Sequence, residues 1–499
     1  MNTRAKQTCA VIGAGPAGLA SAIRMANKGY QVTVFEANAH AGGKLSQSET
    51  NGYRFDMGPS VFTMPSFVDE LYRISGKNPR DYYDYQPLDP VYRYFYEDGT
   101  HIVAYKSPER FAEEVATKTT ENKDKILAYL QDVAYKYNLT ADIFLHNSLH
   151  KVKNYLTKRV ARGLWNFGKL EAFRTMDTAN KHHFKDPRVV QLFNRYATYN
   201  GSNPYEAPAT LNVIPHLEIN LGAYLPHGGM YSITKGLVRL AEDLGVEFRF
   251  ETKVEEIVLQ QGRATGIRAK GETEAFDCVI SNMDVYNTYK HLLPKAKKPQ
   301  RTLSQPKSSS AIIFYWGIKH SFEQLGLHNI FFSDNYPAEF DHIFHKKQLY
   351  NDPTIYLNIT SKYAKEDAPE GCENWFTMIN APHNDGQDNW DEMIAQTREN
   401  LIAKLSRHLK TDIRPLIECE LIWEPRKIEA LTSSAFGAIY GNSSNNKFAA
   451  FLRHANFSSS IKNLYFCGGS VHPGPSIPLC MLSAKITTDL IAPAVAAKG

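Results

Sequence analysis

Glycines at fixed spacing, followed by an acid, form the first stretch that could do chemistry. Thr8 to Ile12 is a short apolar run, Gly13-Ala14-Gly15-Pro16-Ala17-Gly18 follows at once, and Leu19, Ala22, Ile23 and Ala26 then recur at helical spacing up to Gly29. Gln31 to Phe35 is a second apolar run, closed by Glu36. Strand, glycine turn, helix, strand and acid is the order of a dinucleotide-binding unit. Gly13 permits the tight turn, Gly15 lets backbone N–H groups approach a pyrophosphate, and Gly18 lets helix and strand pack closely. Glu36 can accept hydrogen bonds from ribose hydroxyls, and the helix N-terminus supplies partial positive charge. An ordinary βα turn without a ligand is the alternative, and the register of strand, helix and acid weighs against it.

A second stretch repeats this logic at the far end of the chain. Leu464-Tyr465-Phe466-Cys467 runs into Gly468-Gly469-Ser470, then Val471-His472-Pro473-Gly474-Pro475-Ser476, and a helix is predicted from about Leu479 to Ile491. Two strand–glycine–helix elements fit a flavin dinucleotide, whose long body needs contacts beyond one βαβ unit. Two shorter segments lie directly behind the first fingerprint. Gly42-Gly43-Lys44 suits a loop passing close to a phosphate or ribose, with Lys44 to neutralise charge, and Asp56-Met57-Gly58-Pro59-Ser60-Val61 is a strand end followed by a turn. No metal-binding pattern is present. Candidate proton acceptors near these segments are His472, His227 and Asp56, with a structural turn histidine as the alternative for His472.

The elements that must position these residues follow from the pattern. The chain predicts three parts: residues 1–75, 226–290 and 460–499 as the dinucleotide-binding domain, 76–225 as a mainly helical subdomain, and 291–459 as a mixed α/β domain. Short strands are expected around Tyr92–Tyr96 and His101–Tyr105, and a long helical pattern from Pro108 to about Tyr137. Thr252–Leu259 and Ala264–Ala269 read as a hairpin around Gly262, with Val254 able to pair an adenine through its backbone. Phe276 to Asn282 reads as a buried strand ending in polar residues. Strand-like runs from Ala311 to Trp423 surround one strong helix, Asp391 to Lys410. Leu149 to Lys169 carries six Lys or Arg and no acid, with Leu149, Val152, Leu156, Val160 and Leu164 on one face. A basic amphipathic helix of this kind reads as a membrane-surface element, against a plain solvated basic face.

Composition narrows the classes. At 499 residues, two or three domains are expected, and 43% hydrophobic with 22% charged residues is ordinary for a globular protein. A net charge of +5 does not call for nucleic acid, and six scattered Cys without C-x-x-C spacing indicate neither a disulfide framework nor a zinc site. With no apolar run of about 18 residues or more and no secretory signal pattern, a cytoplasmic protein peripheral to the cytoplasmic membrane is expected. The 28 Tyr and 26 Phe would suit a large apolar ligand, although they are equally core material.

Val11 to Glu36, Gly42-Gly43-Lys44, Asp56 to Ser60, Val279-Ile280-Ser281-Asn282-Met283-Asp284 and Leu464 to Met481 together resemble the phytoene-desaturase-type bacterial carotenoid desaturases, over essentially the whole chain. Within that family the likeness is to members acting at C-3,4 of 1-hydroxycarotenoids. Two departures stand out. The family's P-G-x-G reads Pro473-Gly474-Pro475-Ser476 here, and the Gly-Gly-Arg of related amine oxidases reads Gly42-Gly43-Lys44.

The resemblance implies a Rossmann-like FAD-binding domain of the flavin amine oxidase and GDI-like superfamily, a mixed-sheet substrate domain and a helical membrane-facing subdomain. It implies non-covalent FAD, a long tunnel, and a polyene drawn from the membrane. By matched motif, Gly13, Gly15 and Ala17 would face the pyrophosphate, with Gly18 behind them, and Glu36 the adenosine ribose. Gly43, Lys44, Gly58, Pro59, Ser60 and Val61 would lie along the diphosphate and ribityl region. Val254 and Asn282 would lie near the adenine end, Gly469 and Ser470 near the ribityl chain, and Ile477 and Met481 near the isoalloxazine. Dehydrogenating a C–C bond needs a hydride acceptor, which a flavin supplies and no side chain does. Should the substrate carry a tertiary hydroxyl, a polar group deep in the tunnel must meet it, since a buried unpaired hydroxyl is costly. Alternatives on the same fold are a carotenoid isomerase, a terminal-methyl oxidase, an amine oxidase (weakened by Lys44) and a non-enzymatic prenyl-lipid escort.

Overall fold

The computed structural model describes residues 6–144, 149–150, 171, 173–386, 389–446 and 453–494. The apolar run Thr8–Ile12 is strand β1, Pro16–Asn27 is helix α1, and Gln31–Phe35 is strand β2. These belong to a five-stranded parallel sheet ordered Glu247–Arg249, β2, β1, Cys278–Ser281, Leu464–Phe466. Parallel strands covered on both faces need unbroken apolar runs, and Cys278-Val279-Ile280-Ser281 is buried at every position. The beginning, middle and end of the chain therefore meet in one sheet. On one face α1 packs on the helices Tyr231–Asp243 and Ile477–Asp489. On the other, the strands Val254–Gln260, Arg263–Ala269 and Glu272–Ala275 form a small antiparallel sheet whose Ile257, Ala264 and Ile267 join Ala10, Ile12 and Val279 in one core.

A second sheet has seven strands, ordered Ile417–Trp423, Ser310–Ile318, Glu373–Ala381, Ile355–Ile359, His328–Phe331, Tyr92–Phe95, His101–Ala104. Its pairs are antiparallel except His328–Phe331 with Tyr92–Phe95, which is parallel. The two short strands expected near Tyr92 and His101 thus complete the sheet of the later domain. Helix Trp390–Leu409 covers one face, burying Trp390, Leu401 and Leu405 against Trp316 and Trp375.

The long helical pattern beginning at Pro108 is two helices, Pro108–Lys118 and Lys123–Phe144. The break has a local cause: Thr119 turns its hydroxyl back to the Val115 carbonyl at 2.8 Å, and the Asn122 carboxamide accepts from the Asp124 N–H at 2.7 Å. Beyond Leu149 and His150, the predicted basic helix lies outside the described residues. Among the described residues no helix is long and apolar enough to cross a membrane.

Candidate functional site

The two glycine elements face one another across a single asparagine. The Asn282 N–H donates to the Ile12 carbonyl at 2.8 Å, and its Nδ2 donates to the Cys467 carbonyl at 3.2 Å. A Cβ on Gly15 would stand 2.6 Å from Asn282 Oδ1, and one on Gly468 would stand 2.6 Å from its Nδ2. A Cβ on Gly18 would come within 2.1 Å of the Gly13 carbonyl oxygen, while Gly13 itself adopts φ +93°. The glycines are therefore dictated by crowding of main chain against main chain and against Asn282.

Gly15 is the N-cap of helix α1, no side chain caps its first N–H groups, and Pro16 fills the first turn. The uncapped donors and the dipole make this terminus an anion site. Glu36, buried at the end of β2, accepts from the Ala14 N–H at 2.8 Å through one oxygen and from Asn38 at 2.9 Å through the other. These contacts orient the carboxylate.

A cavity of about 570 Å3 runs past all these groups. Its wall includes Gly13, Gly15, Ala17 and Glu36 from the N-terminal unit, and Gly43, Lys44, Gly58, Pro59, Ser60 and Val61 from the next two loops. Val254, Asn282, Gly469, Ser470 and Ile477 also line it, Asn282 between the two glycine turns and away from the adenine end expected of it. The Lys44 ammonium donates to the Ile439 carbonyl at 2.8 Å, and burial lowers its pKa; burial raises that of Asp284, another wall residue. Ser470 Oγ accepts from the Val285 N–H at 3.0 Å, fixing the C-terminal glycine loop. Ser476, where the resembling family has glycine, holds φ +127° at the cap of helix Ile477–Asp489. The uncapped helix N-terminus, the glycines that leave no room for Cβ and the oriented Glu36 fit FAD.

Three expected residues are not on this wall. Gly18 lies behind the turn, in contact with main chain. Met481 is in the core with Ile477 and Ala484, one helical turn beyond the wall residue Ile477. His472 is 1% exposed and set back from the cavity, its N–H donating to the His454 carbonyl at 3.0 Å and its carbonyl accepting from Asn456 Nδ2 at 2.8 Å. The proton-acceptor role expected of it does not fit that placement. Nor do the other two candidates reach the wall: His227 is exposed on a turn, and Asp56 is buried in an ion pair with Arg54 at 2.9 Å and accepts from the Met230 N–H.

The opposite half of the cavity holds polar groups that sequence reasoning missed. Arg195, Tyr199, Tyr92 and Tyr356 line it, and Glu218 stands behind them. Arg195 meets Glu218 at 3.2 Å with both side chains almost wholly enclosed, and its guanidinium lies over the rings of Tyr92 and Tyr196 at 4.6 and 4.4 Å. Glu218 also accepts from the Tyr196 hydroxyl at 2.6 Å and from that of Tyr199, which in turn meets the Tyr92 hydroxyl at 2.9 Å. Tyr356 joins Ser60 Oγ at 2.7 Å and His328 Nδ1 at 2.8 Å, and the His328 ring stacks on Tyr92. Burial, aided by the nearby Arg195 charge, pushes the His328 pKa down to about 3, so its imidazole is neutral. The one sequence signal was Arg195 set among Tyr196 and Tyr199; it passes for an amphipathic helix end.

Comparison with known proteins agrees with this geometry. The sequence profile of the flavin containing amine oxidoreductases matches residues 16–492. A 1-hydroxycarotenoid 3,4-desaturase from Flavobacterium sp. (strain P99-3) is 50% identical over 481 residues, covering 96% of this chain and 98% of that protein. A 4,4'-diapolycopene oxygenase from Methylomonas sp is 34% identical, covering 98% and 99% respectively. Among solved structures, wild-type putrescine oxidase bound to putrescine superposes with a TM-score of 0.64 at 14% identity, over 98% of this chain and 99% of that one. An oxidoreductase from Methanosarcina mazei gives 0.61 at 15%, over 97% and 100%; both likenesses concern the fold alone. The glycine-built cradle and the full-length match together place the chain in the flavin-containing amine oxidoreductase family, among its carotenoid desaturases.

Proposed function

We propose that this chain dehydrogenates a C–C bond at an acyclic carotenoid end, at C-3,4 of a 1-hydroxycarotenoid, with FAD held in the cradle. The observation that carries this reading is the continuity of the cavity. It begins at the glycines and Glu36 and runs on past Val61, Ala311, Ile313, Ile330 and Met378, an apolar lining suited to a polyene. The half-identical relative, named for that reaction, supports the same assignment. Bound FAD supplies the two-electron acceptor that no side chain can replace. The protein's part is placement: the N-terminus of α1 would meet the diphosphate and Glu36 the ribose, and the apolar lining would exclude water while aligning the chain of the polyene.

Incubating the FAD-loaded protein in lipid with lycopene-type and γ-carotene-type substrates, hydroxylated forms included, tests it. A product lighter by two hydrogens with red-shifted absorption is expected. Unchanged mass would mean an isomerase, added oxygen a terminal-methyl oxidase such as the 34% identical relative's name describes, and a colourless purified protein an escort.

The substrate's insolubility leads us also to propose a peripheral position on the cytoplasmic membrane, through the basic stretch 149–169. Replacing Lys151, Lys153, Lys158 and Arg159 by Glu is expected to abolish flotation with anionic liposomes; unchanged flotation would refute it.

A further inference from the structure

We propose that Ser60 and Tyr356 form the docking point for the substrate's hydroxyl, and that this contact sets the register of the polyene end against the cradle. The inference rests on the desaturase reading and adds the residues that would select its substrate.

The hydrogen bonds around Tyr356 leave acceptor capacity on the cavity side. Asn358 Nδ2 donates to the Leu327 carbonyl at 3.2 Å, which fixes the orientation of its carboxamide. The same Nδ2 lies 3.0 Å from His328 Nδ1 and can only donate, so Nδ1 is assigned as acceptor and the ring proton to Nε2, a buried nitrogen with no hydrogen-bond partner among the described residues. The Tyr356 hydroxyl, 2.8 Å from that Nδ1, then points its single proton at the one lone pair that it shares with Asn358. Ser60 Oγ, 2.7 Å from the Tyr356 oxygen, in turn donates to it. The Ser60 oxygen is left with acceptor capacity on a wall residue, and so is the Tyr356 oxygen. An occupant at this point is welcomed if it brings a donor. A hydroxyl does; the bare hydrocarbon end of a polyene does not.

Position agrees with chemistry. In a 1-hydroxycarotenoid a single carbon separates the hydroxyl-bearing C-1 from the C-3,4 bond, so a hydroxyl anchor has to lie beside the reacting bond and cannot sit at the far end of a tunnel. Ser60 follows Gly58 and Pro59 directly and is the polar side chain that joins the cradle to the tyrosine half. His328 and Asn358, both buried, are positioning residues that hold the Tyr356 proton away from the cavity. The Tyr92–Tyr199–Glu218 cluster is the rival anchor: Tyr199 gives its proton to Glu218 and meets the Tyr92 hydroxyl at 2.9 Å, so its oxygen also accepts, but it lies off the Ser60 link to the cradle.

Dissociation constants of lycopene and 1-hydroxylycopene for the FAD-loaded protein, from quenching of its aromatic fluorescence in detergent, test the assignment. Wild type is expected to favour the hydroxylated probe at least tenfold. Tyr356→Phe and Ser60→Ala are each expected to bring that ratio close to one, while Tyr199→Phe keeps it. The bound-flavin spectrum and thermal midpoint report folding, and the two variants act on the same ratio independently. No preference in wild type, or a preference lost in Tyr199→Phe and kept in Tyr356→Phe, would overturn the proposal. Absence of any dehydrogenated product from wild type would instead overturn the desaturase reading, whatever the binding ratio.

Discussion

The cradle and the tyrosine half of the cavity solve the same problem, holding a ligand, with opposite materials. The cradle uses main chain: glycines at positions 15, 18 and 468 are there because Cβ atoms would strike a carbonyl or Asn282, and Gly13 because its φ is +93°. The other half uses side chains gathered from four distant segments, around Tyr92, Arg195, His328 and Tyr356. A main-chain site must write glycine at fixed spacing. A side-chain site needs only the right groups to arrive, from anywhere. The first is rigid and intolerant, the second adjustable, which suits a fixed cofactor facing a variable substrate.

The largest effect is expected where the comparison is sharpest. Gly18→Ala puts a methyl 2.1 Å from the Gly13 carbonyl oxygen and 3.0 Å from Asn282 Oδ1, and the first of these is main chain that cannot swing aside. Purified Gly18→Ala should retain less than about a tenth of the flavin per protein that wild type holds, an overpacking cost of ~1–3 kcal/mol falling directly on the pyrophosphate turn. Flavin absorbance relative to protein absorbance measures it. Full retention would break the claim that the cradle is sterically dictated.

Removing the centre of the other half should cost stability and leave the cofactor in place. Glu218→Ala strands the buried Arg195 charge and frees two tyrosine hydroxyls. Breaking one partner of such a pair costs about 3–5 kcal/mol, read as a lower midpoint in urea with flavin content unchanged. Loss of flavin together with stability would mean that the two halves are a single unit.

That contrast also explains what could be read in advance. β1, α1, β2 and Glu36 were legible because strand periodicity, glycine spacing and a terminal acid are all local signals. The joining of chain ends was legible from Leu464 to Ser470, since its pattern repeats the first. The pairing of Tyr92–Phe95 with His328–Phe331 was not: nothing near either strand specifies a partner more than two hundred residues away. His472 and Met481 were misplaced for a related reason. Proximity in sequence to a cofactor segment does not put a residue on the cavity wall, and neither lies there. The Arg195–Glu218 cluster was invisible because each member alone is a plausible surface residue.

Glu339, hydrogen-bonded to the wall residue Thr354, adds a pH dependence on the side-chain half. Burial raises its carboxyl to about 7, against a partial offset from Thr354, whose hydroxyl donates to it at 2.7 Å, and from the Lys404 charge. The unfolded chain gives up this proton near pH 4.3. The folded state thus binds more protons between those values, and stability falls as pH rises from about 5 to 8. Glu339→Gln should flatten that decline, removing on the order of 2–3 kcal/mol of pH dependence, followed as thermal midpoint against pH. An unchanged slope would place the titration elsewhere.

The smallest effect tests the one place where the cradle breaks its own rule. Ser476 holds φ +127° and ψ +162°, a region open in practice only to glycine, while its Oγ accepts from the Leu479 N–H at 3.3 Å. Strain of this kind costs ~1–3 kcal/mol, whereas exchanging a serine cap for glycine loses only a few tenths. Glycine also adds unfolded-state entropy worth roughly 0.5–1 kcal/mol against the folded form. Ser476→Gly should therefore stabilise by about 1 kcal/mol, a rise of a few degrees or less in thermal midpoint for a chain of this size. Ser476→Ala keeps the strain, loses the cap, and should be destabilised by about 1 kcal/mol. If both variants lose stability equally, the serine is held by its side chain, and this corner of the cradle belongs with the tyrosine half in its logic.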